Sequence, residues 1–145
     1  MAEETTLYLK RTFAAPRKKV FEAWTKPEVI SQWFAATAEH VPTTAEVDLR
    51  VGGKYRIGMK HVPKGIQHTA IGEYKEIIPN ERLVFTWAWE ERPDEPESLV
   101  TIEFRDAGNS TEMNFTHSRF VSKQRRDEHE GGWNGCFARM EKIFS

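Results

Sequence analysis

At 145 residues the chain is long enough for one domain with a substantial core, and 1–145 is read as a single domain. A formal net charge of -1, with no block of one sign, gives no electrostatic footprint for nucleic acid or for an anionic membrane surface. No apolar run reaches spanning length, the opening MAEETT is acidic rather than signal-like, and the lone cysteine, Cys136, forms no internal disulfide, so a cytoplasmic protein is expected.

Residues 6–14 alternate and read as a first strand. Pro16 opens a short helix over residues 15–24 with Val20, Phe21 and Trp24 inward, and Pro27 opens a second over residues 27–34 that carries Val29, Ile30, Trp33 and Phe34. From Ala45 the period becomes two. Strands are predicted at residues 46–50, 54–61, 68–78, 82–89, 98–105 and 111–117, separated by turn signals at Gly52-Gly53, Pro79-Asn80 and Ala107-Gly108-Asn109. Residues 62–67 read as a hairpin loop, which sets His61 opposite His68, Met59 opposite Ala70, Ile57 opposite Gly72 and Tyr55 opposite Tyr74. Gly72 inside a strand marks a bulge or a close approach. The acidic, proline-rich segment 91–97 reads as a solvated loop without a motif.

Residues 122–144 form the longest helical run. Trp133, Cys136, Phe137, Met140, Ile143 and Phe144 recur at three- and four-residue spacing on one stripe, and Ser122 is placed to cap the start. A helix of that length spans roughly 30 Å, enough to cross a sheet. Gly131, Gly132 and Gly135 around Trp133 each cost up to about 1 kcal/mol in a helix interior. Two reasons stay open: close packing against a neighbour, or open volume beside the Trp133 indole.

The order is a strand, two short helices, about six strands in a meander and one long helix. An antiparallel sheet with aromatic inner positions needs cover, and the long helix is the large amphipathic element available. The predicted fold is therefore α+β, a curved antiparallel sheet around a C-terminal helix. Because a curved sheet and a straight helix do not meet everywhere, a cavity between them is expected.

The segments RTFAAPRKKVFEAWTKPEVISQWF, GGKY, GEYKEIIPNERLVFTWAW, FTHSRF and EHEGGWNGCFARMEKIF resemble, in order and over nearly the whole chain, the single-domain proteins related to the activator of the heat-shock protein 90 ATPase. These belong to the START-like or SRPBCC superfamily. The resemblance implies the helix-grip fold, shared with birch-pollen allergen and polyketide cyclases, and an apolar cavity under the C-terminal helix. It implies no universal catalytic motif and no one ligand or reaction. The eukaryotic co-chaperone that names the family has a further N-terminal domain that engages the chaperone; this chain starts at the helix-grip strand, so chaperone activation is not expected.

The predicted lining of the cavity is Trp33, Tyr55, Ile57, Met59, His61, His68, Tyr74, Phe85, Trp87, Trp89, Phe104, Phe115, His117 and Trp133. Indoles, phenols and a thioether suit a flat or greasy molecule with few polar anchors. His61, His68 and His117 are the titratable groups expected inward, as polar anchors at the mouth. No close-spaced Cys/His signature calls for a metal, no phosphate-cradling glycine loop or hydrolase signature is present, and no cofactor is expected. Cys136 is read as a small core residue and Arg17, Lys18 and Lys19 as a solvated helix face. The expected function is binding of a small hydrophobic molecule, with no catalytic residue assigned. The alternatives are an enzyme of the cyclase or dehydratase type, in which a histidine moves a proton in the same cavity, and a stress-related chaperone-interacting protein that uses its outer surface. A homodimer is compatible with the sequence and not specified by it.

Overall fold

The computed structural model of the chain describes residues 2–145. A short 3-10 turn, Ala2–Thr5, precedes β1 (Leu7–Phe13), α1 (Arg17–Thr25), α2 (Pro27–Trp33), β2 (His40–Val47), β3 (Lys54–His61), β4 (Ile66–Ile78), β5 (Arg82–Trp89), β6 (Ser98–Ala107), β7 (Ser110–Ser118) and α3 (Lys123–Ile143). The seven strands form one strongly curled antiparallel sheet in the order β1-β7-β6-β5-β4-β3-β2. The meander thus runs from β2 to β7, and β1 closes its far edge, pairing Leu7 with His117 and Phe13 with Thr111.

The helix boundaries follow from local chemistry. Lys26 precedes a proline, which keeps it extended at φ -96° and ψ 121°, so it ends α1 and opens α2. Ser122 caps α3 by accepting a hydrogen bond from the Arg125 amide at 3.2 Å. The stripe on α3 buries Trp133, Cys136, Phe137 and Met140 against the inner face of the sheet, with Ile143 and Phe144 half-buried at its end. The Trp133 ring lies 4.8 Å from Phe115 and 4.9 Å from Trp87. Trp24 of α1 fills the space on the other side, stacked on Phe115 at 6.0 Å and crossing Trp33 at 4.8 Å. Packing of this kind stabilises beyond simple area burial, by about 0.5–1.5 kcal/mol per aromatic pair.

Two expectations from sequence are corrected. The strand predicted at residues 46–50 is the end of a longer edge strand, His40–Val47, and residues 48–53 are turns that bind back through the Asp48 and Gly53 amides. Period two was hidden because an edge strand is half-exposed on both faces, and Pro42 weakens the strand signal although an edge tolerates it. The β3–β4 register is also two residues tighter: His61 faces Ile66, Met59 faces His68, Ile57 faces Ala70 and Tyr55 faces Gly72. The turn needs only residues 62–65, with Gly65 at φ +66°. A slip of two keeps every side chain on its predicted face, so Tyr55, Ile57, Met59 and Tyr74 are still buried inward.

Gly72 is a close approach. The Tyr55 ring lies over it, so that an added Cβ would stand 2.6 Å from the phenol edge and overlap the Thr86 carbonyl, to which the Tyr55 hydroxyl donates at 2.5 Å.

Candidate functional site

A cavity of about 240 Å³ lies between α3, the end of α2 and strands β2 to β5. Phe34, Met59, Trp87, Trp89, Trp133 and Cys136 form its largely apolar walls, and Ala36 and Gly132 border it where a larger side chain would fill it. At its mouth stand His40, His68, Glu91, Arg92, Glu128 and His129. The glycines explain why it is open. A Cβ at Gly135 would overlap the Ala36 carbonyl, so the helix there touches the chain leaving α2 and can come no closer. One turn earlier, a Cβ at Gly132 would meet only Ala36 Cβ at 3.7 Å, and the missing side chain leaves space. The two readings of the glycines therefore apply to different residues.

The wall is held by two histidines in opposite tautomers. An indole N–H only donates, so the nitrogen it meets carries a lone pair. Trp133 donates to His117 Nδ1 at 3.1 Å, which leaves His117 Nε2–H to donate to Ser98 Oγ at 2.7 Å and the Ser98 hydroxyl to donate to the Trp87 carbonyl at 3.2 Å. Trp87 and Trp89 both donate to His129 Nε2, at 3.3 and 3.0 Å, and His129 Nδ1–H donates to the Arg125 carbonyl at 2.8 Å. Both rings are thus neutral. Burial, reinforced by His129 beside it, holds the His117 pKa well below that of a free histidine, and burial likewise lowers His129.

The Ser98–His117 pair does not form a hydrolytic dyad. A nucleophilic serine must donate to histidine Nε2 while a carboxylate orients Nδ1–H. Here Nε2 donates and Nδ1 accepts, so the hydroxyl is not activated. Its role is to hold the wall. Trp133→Phe, which keeps the ring stack but removes the donor, is expected to cost about 1–3 kcal/mol by leaving His117 Nδ1 buried without a partner, measurable by chemical denaturation.

Of the residues predicted as lining, Met59, His68, Trp87, Trp89 and Trp133 border the cavity. Trp33, Tyr55, Ile57, Tyr74, Phe85, Phe104 and Phe115 instead fill the packed core beside the cavity, and His117 lies behind the Trp87 and Trp133 rings. His61 stays near the β2 edge, with Nε2 3.3 Å from Glu39 and a buried Nδ1 that has no partner. The sequence reading missed His40, Glu91, Arg92, Glu128 and His129. His129 could have been found, since it sits four residues before Trp133 on the same helical stripe. His40 went with the hidden start of β2, where it faces His61 directly.

Glu91 enters the site because the β4–β5 ladder runs on past Trp89. The Glu90 amide donates to the Thr69 carbonyl, and the Glu91 carboxylate turns back to accept from the Thr69 amide at 3.1 Å and from His68 Nδ1 at 2.9 Å. Cys136 is buried as expected, and burial pushes its thiol up to about 12, so it stays protonated and is no nucleophile. Among the described residues no group of three or more His, Cys, Asp or Glu side chains is arranged to hold a metal ion. A second, more open groove of about 620 Å³ lies across the outer face of β3 to β5, but its charged residues are largely engaged, Arg56 with Glu46 and Glu90, and Glu73 with Lys75.

This curled sheet and the helix it grips follow one known pattern. Residues 14–145 match the family described as Activator of Hsp90 ATPase homolog 1-like protein. The chain belongs to that family. No curated protein matches the sequence. Among solved structures it is similar to a protein from Chromobacterium violaceum, with a TM-score of 0.88 and 22% identity over 97% of this chain and 96% of that one. It is also similar to an AHSA1 protein from Silicibacter pomeroyi, with a TM-score of 0.82 and 20% identity over 95% and 96% of the two chains. An HSP90 activator from Plasmodium falciparum matches with a TM-score of 0.74 and 23% identity over 96% of this chain and 95% of that one. At these identities the AHSA1-like likeness establishes the START-like fold. Of the described helices, none is long and apolar enough to cross a membrane.

Proposed function

We propose that this member of the Activator of Hsp90 ATPase homolog 1-like family binds a small, flat, hydrophobic molecule in the cavity between the sheet and α3. The observation that supports the reading is the cavity of about 240 Å³ whose three indole donors, on Trp87, Trp89 and Trp133, are all taken by His129 and His117. Its floor therefore offers ring faces rather than unpaired polar groups. An apolar protein cavity of about 150 Å³ stays dry and takes benzene, so this space suits a body of one or two rings. Gly132→Leu is the test. The new side chain is expected to occupy the cavity and abolish calorimetric binding of 2-methoxynaphthalene, while far-ultraviolet circular dichroism stays unchanged. Binding as tight as that of the unmodified protein would defeat the reading.

The alternative of chaperone activation draws on the family description and on the Plasmodium falciparum neighbour. Stimulation of Hsp90 ATP turnover by the purified chain, undiminished by Gly132→Leu, would favour it over the cavity. A cyclase- or dehydratase-type reaction would have to use His68, the cavity histidine with a carboxylate partner, as its proton carrier.

A further inference from the structure

We propose that the molecule held in the cavity is a planar aromatic alcohol, and that its hydroxyl donates to His68 Nε2. The inference rests on the cavity reading above and adds the polar end of the ligand. His68 borders the cavity, its Nδ1 lies 2.9 Å from the Glu91 carboxylate, and among the described residues its Nε2 has no hydrogen-bond partner. With Nδ1–H given to Glu91, a neutral imidazole presents its lone pair at Nε2. Glu91 is itself fixed, because its other oxygen accepts the Thr69 amide at 3.1 Å. The acceptor is therefore held in one orientation before any ligand arrives, the condition under which a single hydrogen bond discriminates.

The rest of the site argues against other polar ends. A cationic amine would need a free carboxylate, whereas Glu91 is engaged by His68 and Thr69, and Glu128 by Arg125 at 2.9 Å. A carboxylate would have to draw Arg92 from Glu95, 3.5 Å away, and would meet Glu91 and Glu128 at the mouth. A phenolic hydroxyl is neutral, is a stronger donor than an alkyl hydroxyl, and sits at the edge of the flat body that the indoles of Trp87, Trp89 and Trp133 accommodate. His68 itself stands 5.9 Å from Trp89, so one molecule can cover the indole and reach the imidazole.

Three naphthalenes that differ in one group test this by titration calorimetry at about pH 8: 2-naphthol, 2-methoxynaphthalene and 2-naphthoate. The expected result is 2-naphthol binding about tenfold more tightly than 2-methoxynaphthalene, the worth of one neutral hydrogen bond. His68→Phe should bring that ratio close to one, and Glu91→Gln should shrink it, with near-ultraviolet circular dichroism unchanged in both. Equal affinity for naphthol and its methyl ether in the unmodified protein, a preference that survives His68→Phe, or tightest binding of 2-naphthoate would each overturn the inference while leaving the cavity reading intact. Failure of both 2-naphthol and 2-methoxynaphthalene to bind would remove both.

Discussion

Gly135→Ala is expected to destabilise the protein by about 2–4 kcal/mol, although alanine is the better helix former by up to about 1 kcal/mol. The cause is backbone against backbone: the new methyl would overlap the Ala36 carbonyl, and neither the helix nor the chain leaving α2 can yield without disturbing the Trp33 and Phe34 packing beside it. Gly131→Ala is the internal control. A Cβ there meets nothing within 4 Å, so the same change four residues earlier should stabilise by about 0.5–1 kcal/mol through helix propensity alone. Thermal and urea unfolding of the two variants should therefore move in opposite directions. Equal effects of one sign would mean that α3 is not pinned at Ala36.

Acidification from about pH 7.5 to about pH 5.5 is expected to remove roughly 2 kcal/mol of stability, a fall in melting temperature of roughly 4–8 °C. His117 and His129 have pKa values in the folded protein below their unfolded value of about 6.5, so below that pH the unfolded chain binds more protons and is favoured. The stability they hold is fully present above about pH 6.5 and is lost as the pH falls toward their folded values. The geometry supplies the reason: a second proton on His117 would set Nδ1–H against the Trp133 N–H, and one on His129 would face two indole donors. His40 adds a smaller contribution of the same sign, from partial burial and from His61 and His68 nearby. The surface carboxylates Glu90, Glu112, Asp127 and Glu128 are held low by their hydrogen-bond partners and act in a more acidic range. His129→Gln keeps an acceptor for the indoles but cannot titrate. It should flatten the pH dependence; an unchanged slope would refute the assignment.

The architecture was legible because its signals are strong and local. Pro16 and Pro27 opened two helices, period two marked six of the seven described strands closely, and the stripe through Trp133 and Met140 fixed which face of α3 is buried. Cavity membership was less legible for a physical reason: an inward aromatic looks the same in sequence whether it abuts another ring or empty space. Phe115 and Trp87 both point inward, yet only Trp87 borders the cavity, because what lies opposite depends on where Gly135 stops the helix. The polar mouth was hidden differently. Glu91 and Arg92 belong to a loop with no periodicity, and His40 to an edge strand exposed on both faces.

The pairing of β1 with β7 joins Leu7 to His117, far apart in sequence, and among the described residues β1 pairs with no strand but β7. The dock of β1 is thus the outer edge of the β6–β7 hairpin, a distant segment that must form before β1 can be placed. Closing the long loop between them favours slow folding, as contacts between distant residues do. Until β1 arrives, β7 carries a bare row of amides and carbonyls that a neighbouring copy's β1 could cover equally well, which makes strand exchange the characteristic hazard of this molecule at high concentration.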